Sequence, residues 1–465
     1  MAAIITHNFR QANAFQFYES FGETAATNYY LFVGRPQAFA SGTGGGTDAA
    51  PPTPKDNVGR NLSYYRDMMS AARISSSDVS YAIPRNDWTT GTTYDYYRHD
   101  YGETVNSATV QTVASGTDLF ASGTNFVVKS ADNNVYKCMW NDGSTASTVE
   151  PTGTATTELT TGDGYVWKYM YSLSSTQAAN FLTSDFMAVA TDSTVAAAAV
   201  DGGVNRYHIA NGGAGYTNNT YTAQALKGDG TSATFTVVVS GGAVSTVTAV
   251  NAGTGYTFAD CKIDSISGIG SPSTSAVVTP IIGPKGGHGK DAVTELGGFY
   301  VMTNTSIAGT AGSGDFVVGN DFRRVGVVRD PYNYGTTTIS TASTLSALKT
   351  MTFAASPTPG TFVVDEVITG GTSGAKGEVV DWDATNRILK YIQTQWTGVT
   401  AAGVLTAFAG SEVVTGATSS ATGTTSAIGN PEIDYYSGHM IYAENRAPIV
   451  RAADQTENIK LIIEF

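Results

Sequence analysis

Two carboxylates two residues apart in a β-strand point the same way, and Asp381-Trp382-Asp383 is the pair in this chain best placed to act together, as glycosidic chemistry requires. A turn is the stronger reading. Asp383, Thr385 and Asn386 separate the apolar runs 378–382 and 388–392, and such residues close β-hairpins. The segment is no calcium loop either, since it lacks glycine at the sixth position and has Ile392 where the bidentate glutamate belongs. Gly283-Pro284-Lys285-Gly286-Gly287-His288-Gly289-Lys290-Asp291 has the composition of a phosphate loop but not its spacing. With Gly289-Lys290 at its end, the opening glycine falls on Pro284, and Asp291 stands in place of the magnesium-binding Ser or Thr. Residues 42–46 lack the flanking strand, the helix and the remaining glycine of a dinucleotide fingerprint.

The five histidines, His7, His99, His208, His288 and His439, are dispersed, and neither Cys138 nor Cys261 has a second cysteine nearby, so no zinc spacing exists. The expectation is a non-enzyme with no catalytic residue, cofactor or metal. Interface chemistry has better candidates. Trp88, Tyr94, Tyr96, Tyr97 and Tyr101 surround Arg98 and His99, and tyrosine and arginine concentrate at interface centres. The same cluster reads equally well as a satisfied core or a tyrosine-rich loop.

The elements that would carry these residues are mostly strands. A helix is expected over 8–21, with Phe9, Ala12, Phe15 and Phe17 or Tyr18 on its apolar side, and another over 62–72, with Tyr65, Met68 and Met69. Residues 29–33 read as a buried strand, and 40–57 as a Gly- and Pro-rich loop or a segment ordered by a partner. Strands follow over 126–129, 135–140 and 165–173, the last launched by Gly162-Asp163-Gly164. Gly213-Ala214-Gly215-Tyr216-Thr217 returns as Gly253-Thr254-Gly255-Tyr256-Thr257, with a hairpin of 234–239 and 243–250 around Ser240-Gly241-Gly242 between the copies. Later, Glu366-Val367-Ile368-Thr369-Gly370 with Ser373-Gly374-Ala375 is echoed by Glu412-Val413-Val414-Thr415-Gly416 with Ser419-Ser420-Ala421. Two copies are too few for a solenoid, so each duplicated stretch reads as one small β-domain.

Composition agrees. The 465 residues imply several domains, and only 14% are charged, against about 25% in typical soluble domains. Abundant Gly (52) and Tyr (25) favour short strands and turns. A net charge of −13 without any basic run argues against nucleic acid as a partner. No basic-then-apolar leader and no long apolar window appear, so neither export nor a membrane partner is expected, and the two cysteines suit a reducing cytosol.

The closing segment, residues 437–465, has the most distinctive wording. Ile459, Leu461, Ile463 and Phe465 alternate with Lys460 and Glu464, with Ile462 the exception, so a terminal strand with one apolar face is expected. Glu444-Asn445-Arg446-Ala447-Pro448 should break the strand before it. This segment closely resembles the C-terminus of the baseplate wedge subunit, the product of gene eight, of T-even-type contractile-tailed bacteriophages. Matching pieces lie upstream in the family's order: Phe9-Arg10 with Phe17 and Tyr18, Ala82-Ile83-Pro84-Arg85-Asn86-Asp87-Trp88, and Gly162-Asp163-Gly164-Tyr165-Val166-Trp167 with Tyr169. Looser similarity runs through Gly319-Asn320-Asp321-Phe322-Arg323 to Tyr435.

The resemblance implies a mainly β protein, a layered β-sandwich main fold with a few helices. Onto it the duplications add two inserted small β-domains. The expected divisions are 1–205, 286–344 and 431–465 for the main fold, with insertions at 206–285 and 345–430. The resemblance further implies a homodimer within each wedge, contacts with other baseplate wedge proteins, and rearrangement when the sheath contracts. It places the protein in the virion tail baseplate, after synthesis in the host cytoplasm. Candidate interface residues are Trp88, Tyr94, Tyr96, Tyr97, Arg98, Glu444, Asn445, Arg446, Asp454 and Gln455. The alternative is a carbohydrate- or receptor-binding tail module acting through the duplicated insertions.

Overall fold

The computed structural model describes residues 4–23, 27–105, 109–307, 316–452 and 456–465. The fold is mainly β, built of antiparallel strands with a few short helices. None of the described helices is long and apolar enough to cross a membrane. The chain divides into two compact units, one of residues 1–15, 80–302 and 462–465, the other of residues 16–79 and 303–461.

The first unit is organised by a four-stranded sheet in the order Val127–Lys129, Asn134–Trp140, Val166–Ser172, Glu158–Thr160. Its central strands are buried on both faces. Because side chains alternate, Tyr136, Cys138, Trp167 and Tyr169 fall in one apolar cluster and Val135, Met139, Val166 and Met170 in another. The first duplicated stretch forms the sheet Asn219–Ala225, Thr234–Ser240, Ala243–Asn251, and its hairpin turns at Gly241 and Gly242 with φ of 63° and 80°. Each copy of the repeat is an Asx turn. The Asn211 side chain accepts from Gly213 N at 2.8 Å, and Asn251 accepts from Gly253 N at 3.0 Å. Both turns sink a tyrosine, Tyr216 or Tyr256, into the core of the segment. Cys138 and Cys261 are buried free thiols.

The second unit is built on a five-stranded sheet in the order Thr344–Ser346, Met68–Arg73, Tyr29–Gly34, Asp321–Arg329, His439–Val450. Tyr29–Gly34 lies at its centre and is buried throughout, as its unbroken apolar run requires. The helix expected over 62–72 is corrected to Val58–Arg66, with Asn57 as N-cap. Asp67 ends it, and Met68 and Met69 enter a strand instead, because pairing with the central strand outweighs their helical propensity. The helix expected over 8–21 runs His7–Glu19, yet only Ala14 on it is buried.

The second duplicated stretch closes into a six-stranded barrel, in the order Lys349–Phe353, Ile388–Ile392, Lys376–Asp383, Val367–Gly370, Val413–Gly416, Thr422–Gly429. Closure leaves no free edge. The two copies hold each other. Glu412 accepts from Thr372 N at 3.0 Å, Ser373 N at 2.9 Å and Ser373 Oγ at 2.8 Å. Glu366 accepts the equivalent bonds from Thr418 N, Ser419 N and Ser419 Oγ at 3.0, 2.9 and 2.7 Å. Glycine is required beside each carboxylate: a Cβ on Gly370 would come within 2.5 Å of Glu412 Oε2, and one on Gly416 within 2.5 Å of Glu366 Oε1. The shared Glu, Gly and Ser positions of the two copies are therefore a crossed pair of turn caps.

Burial pushes the pKa of Glu366 and Glu412 up, but the converging N–H and O–H donors outweigh it and hold both carboxyls below the ordinary range. Removing either acceptor leaves several buried donors unpaired. Glu366→Ala and Glu412→Ala should each lower stability by about 1–3 kcal/mol in urea titration, with similar size because the caps are equivalent. The contribution should be complete above about pH 4.5 and fade as pH falls through the depressed folded-state values. An unchanged midpoint for either variant would show that the cap is not structural.

Candidate interaction surface

The aromatic cluster around residue 94 is interior. Tyr94, Tyr96, Tyr97 and Arg98 are buried, and their polar groups are used within the fold. Tyr94 OH accepts from Thr89 N at 2.7 Å, Tyr97 OH donates to the Ile282 carbonyl at 3.2 Å, and Arg98 forms a two-pronged pair with Asp100 at 2.8 Å on each prong. Trp88 is half-buried, its indole donating to Ser147 Oγ at 3.2 Å. Of the two readings open to the sequence, a satisfied core describes Tyr94, Tyr96, Tyr97 and Arg98.

The C-terminal candidates lie differently. Glu444, Asn445 and Arg446 sit on His439–Val450, the edge strand of its sheet. The proline does not end this strand, contrary to the sequence expectation. Phe322 faces Ile449 and Arg324 faces Asn445, so Arg446, Ala447 and Pro448 bulge opposite Arg323, where a missing N–H costs the ladder little. Asn445 is structural: it accepts from Arg324 Nε at 3.0 Å and donates to the Pro52 carbonyl at 2.8 Å. Glu444 and Arg446 pair at 3.3 Å near the surface. Asp454 and Gln455 lie outside the described residues.

The chemical candidates resolve into scaffolding. Asp383 accepts from Thr385 N and Asn386 N at 3.0 Å each, closing the hairpin, while Asp381 pairs with Lys390 at 3.3 Å. Among the described residues no group of His, Cys, Asp and Glu side chains is placed to hold a metal ion. The glycine-rich stretch 283–291 places His288 beside Lys137, and the short helix Ala292–Glu295 that follows it places Glu295 there. Gly287 has a φ of 93°, and a Cβ there would lie 2.5 Å from Val200 N, so no other residue fits this crossing. Glu295 pairs with the fully buried Lys137 and accepts from Gly289 N at 2.6 Å; His288 Nδ1 lies 2.5 Å from Lys137 Nζ. Burial alone would raise the Glu295 carboxyl, but the Lys137 ammonium beside it wins and brings it down to about 2. The signal for this network was present in the sequence as a lysine in the middle of an apolar strand, Val135-Tyr136-Lys137-Cys138-Met139.

The sequence reading missed the exposed apolar residues of the N-terminal segment. Ile4 and Ile5 are 84% and 70% exposed, and Phe9 and Phe15 on the first helix 58% and 53%. Large apolar side chains left in the open are candidates for a surface that a partner covers. The helical spacing of Phe9 and Phe15 reads as the buried side of a helix, but on the helix His7–Glu19 both are exposed and only Ala14 is buried. In the duplicated segments most aromatic rings point inward, with Tyr216, Tyr221, Tyr256, Phe353, Phe362, Tyr391 and Phe408 buried, whereas Phe258 is 65% exposed.

Residues 3–227 match the model of a protein family described as Bacteriophage T4, Gp8. A curated relative, the baseplate wedge protein gp8 of Enterobacteria phage T4, is 26% identical over 204 residues, 40% of this chain. The chain spans 60% of the length of that relative. The resemblance read from the sequence is thus borne out over the first half of the chain; the barrel and the closing strand lie beyond the family match.

Glu295→Gln should strand the Lys137 charge in the interior and cost about 3–5 kcal/mol, read from the urea midpoint, whereas Lys137→Met combined with Glu295→Met should cost much less than the two single changes summed. Additive losses would show that the pair is not coupled. Burial also lowers the imidazoles of His288 and His208, the latter to about 4, so the unfolded chain takes up protons that the folded one refuses. Stability should therefore fall as pH drops below about 6.5, by up to about 1.4 kcal/mol per unit for each histidine. His208→Gln should flatten that slope between pH 6.5 and 5; an unaltered slope would mean that this imidazole titrates normally.

Proposed function

We propose that this chain is a non-enzymatic structural subunit of a bacteriophage baseplate wedge, its first half being of the gp8 type. The observation that carries the reading is the family match over residues 3–227, and the likeness to the wedge protein of phage T4 supports it. The candidate chemistry points the same way, because the carboxylates and glycine loop that resembled catalytic motifs hold turns and a buried ion pair.

The finer parts of the proposal come from the resemblance. They are a homodimer in each wedge, contacts with neighbouring wedge proteins, assembly into the tail baseplate after synthesis in the host cytoplasm, and exchange of contacts when the sheath contracts. Residues 206–285 and 345–430 are read as modules inserted into the wedge-subunit fold. The duplication of each and their separate apolar cores support this. Candidate contact residues are the exposed Ile4, Ile5, Phe9 and Phe15 of the N-terminal segment, and the Glu444–Arg446 stretch of the edge strand.

Gold-labelled antibody against the barrel should decorate phage particles at the end of the tail distal to the head; label on the head or along the tube overturns the assignment. Light scattering of the purified protein should give twice the monomer mass, and a clean monomer at tens of micromolar would remove the intrinsic homodimer. Phe9→Ser with Phe15→Ser should leave stability within about 0.5 kcal/mol, since both side chains are exposed. The same variant should be lost from wedge complexes on co-purification. Recovery at parental yield would exclude these residues from the interface.

A further inference from the structure

In the second unit, a small cavity of about 40 Å³ is lined by Arg35, Lys55, Arg60, Arg324, Tyr64 and Asn445, among others. Four of these carry positive charge. Arg35 and Arg324 are buried, Arg60 is half-buried and Lys55 exposed, and the two buried guanidinium groups need a counter-charge because cations taken out of water are costly unless paired.

The protein supplies one nearby. Asp67 is fully buried and accepts from Arg324 Nη1 at 2.5 Å, with Arg35 Nη1 at 3.8 Å from its other oxygen. Other carboxylates in the neighbourhood are committed. Asp48 is held by both prongs of Arg323 at 3.0 Å, and Glu378, whose carboxyl burial pushes up, accepts from Gln37 Nε2. Lys55 and Arg60 make no ion pair among the described residues.

Arg35 is the key residue. It is 1% exposed and is fixed by donation from Nη2 to the Thr43 carbonyl at 2.5 Å and by the rings of Phe39 and Trp396, 4.4 and 5.2 Å from its guanidinium. Its Nε has no hydrogen-bond partner among the described residues. Arg324 is fixed as firmly, over the Tyr64 ring at 4.3 Å with Nε on Asn445. Arg60 lies 5.9 Å from the Trp396 ring, and Lys55 stands on a loop whose backbone is tied to Tyr64 OH at 3.1 Å. Two rigid forks and two adjustable cations therefore converge on one cavity. Arg35 is held below the usual arginine range, at about 10, by burial and by its arginine neighbours, Asp67 offsetting only part of this.

We propose that this cavity binds one small oxyanion of the phosphate or carboxylate class. Guanidinium forks match the paired oxygens of such ions, and ammonium adds a point charge. Size selects further. One water needs about 10–15 Å³ on this scale, so the cavity takes an ion of a few heavy atoms and excludes a sugar or a nucleotide base. The inference is independent of the baseplate reading.

The test is calorimetric titration of the full chain with inorganic phosphate at fixed ionic strength, with sodium chloride as control and thermal unfolding alongside. Saturable one-to-one heats and a melting temperature that rises with phosphate but not with chloride are expected. Arg60→Gln and Lys55→Gln, both outside the buried Arg35–Asp67–Arg324 group, should each weaken phosphate at least tenfold while leaving the phosphate-free melting temperature unchanged. Acetate competing with phosphate assigns a general oxyanion site that a neighbouring protein's carboxylate could also fill; phosphate binding untouched by acetate assigns the free ion. Identical behaviour in phosphate and chloride overturns the proposal. Parental affinity in both variants overturns it as well.

Discussion

A fold made of short antiparallel strands has many turns, and the N–H groups in those turns have no ladder to bond to. This chain meets that need with carboxylates. Asp95 accepts from Ser115 N and Asn125 N at 2.6 and 2.9 Å, joining two loops to one side chain. Asp163 accepts from Thr148 N and Val149 N at 2.7 and 3.0 Å, and Asp201 from Gly286 N at 2.6 Å. Glu366 and Glu412 do the same across the barrel. A carboxylate has two oxygens and about four acceptor sites, so one residue can hold several donors at once. The surplus of acids over bases that gives the chain its charge of −13 is in part a set of internal acceptors. Asp163 illustrates the cost balance: burial pushes it up, but four N–H and O–H donors overrule burial and bring it to about 2.

That use of acids explains which parts of the protein the sequence disclosed. Hairpins with glycine at the turn and strands with unbroken apolar runs were legible, because local pattern alone decides them; 234–240 and 243–251 are the clearest case. The repeat Glu-x-x-Thr-Gly-x-x-Ser was visible as a repeat, but its meaning was not. The cap is made between copies, and nothing in one copy reveals that its glutamate serves the other. The helix misjudged at Met68 and Met69 failed for the same reason, since a partner strand distant in sequence overrode local preference.

The interface residues show the limit more sharply. Tyr94, Tyr96 and Tyr97 have the composition of a binding surface and the position of a core, because tyrosine satisfies both needs with one ring and one hydroxyl. Composition cannot separate the two. Phe9 and Phe15 present the reverse case: their spacing reads as a buried helix side, and among the described residues both stay exposed. Surfaces that matter to an assembly are those that look like core in the sequence and remain open in the fold.

The two open features of the structure are not equivalent as contact sites. His439–Val450 is an edge strand, and a bare edge invites pairing with any exposed strand. Here the edge carries Pro448 in a bulge and the Glu444–Arg446 pair beside it, all of which obstruct a continuous added strand. Its exposed apolar residues, Ile441 and Val450, lie toward opposite ends, with the bulge between them. An edge defended in this way suits side-chain contacts better than backbone augmentation. Ile4, Ile5, Phe9 and Phe15 offer exposed side chains rather than a strand edge. The driving force for association there is burial of apolar area, at roughly 1.5–3 kcal/mol for each large side chain fully covered. A partner of these surfaces would therefore draw affinity from the exposed apolar side chains and selectivity from the guarded edge strand.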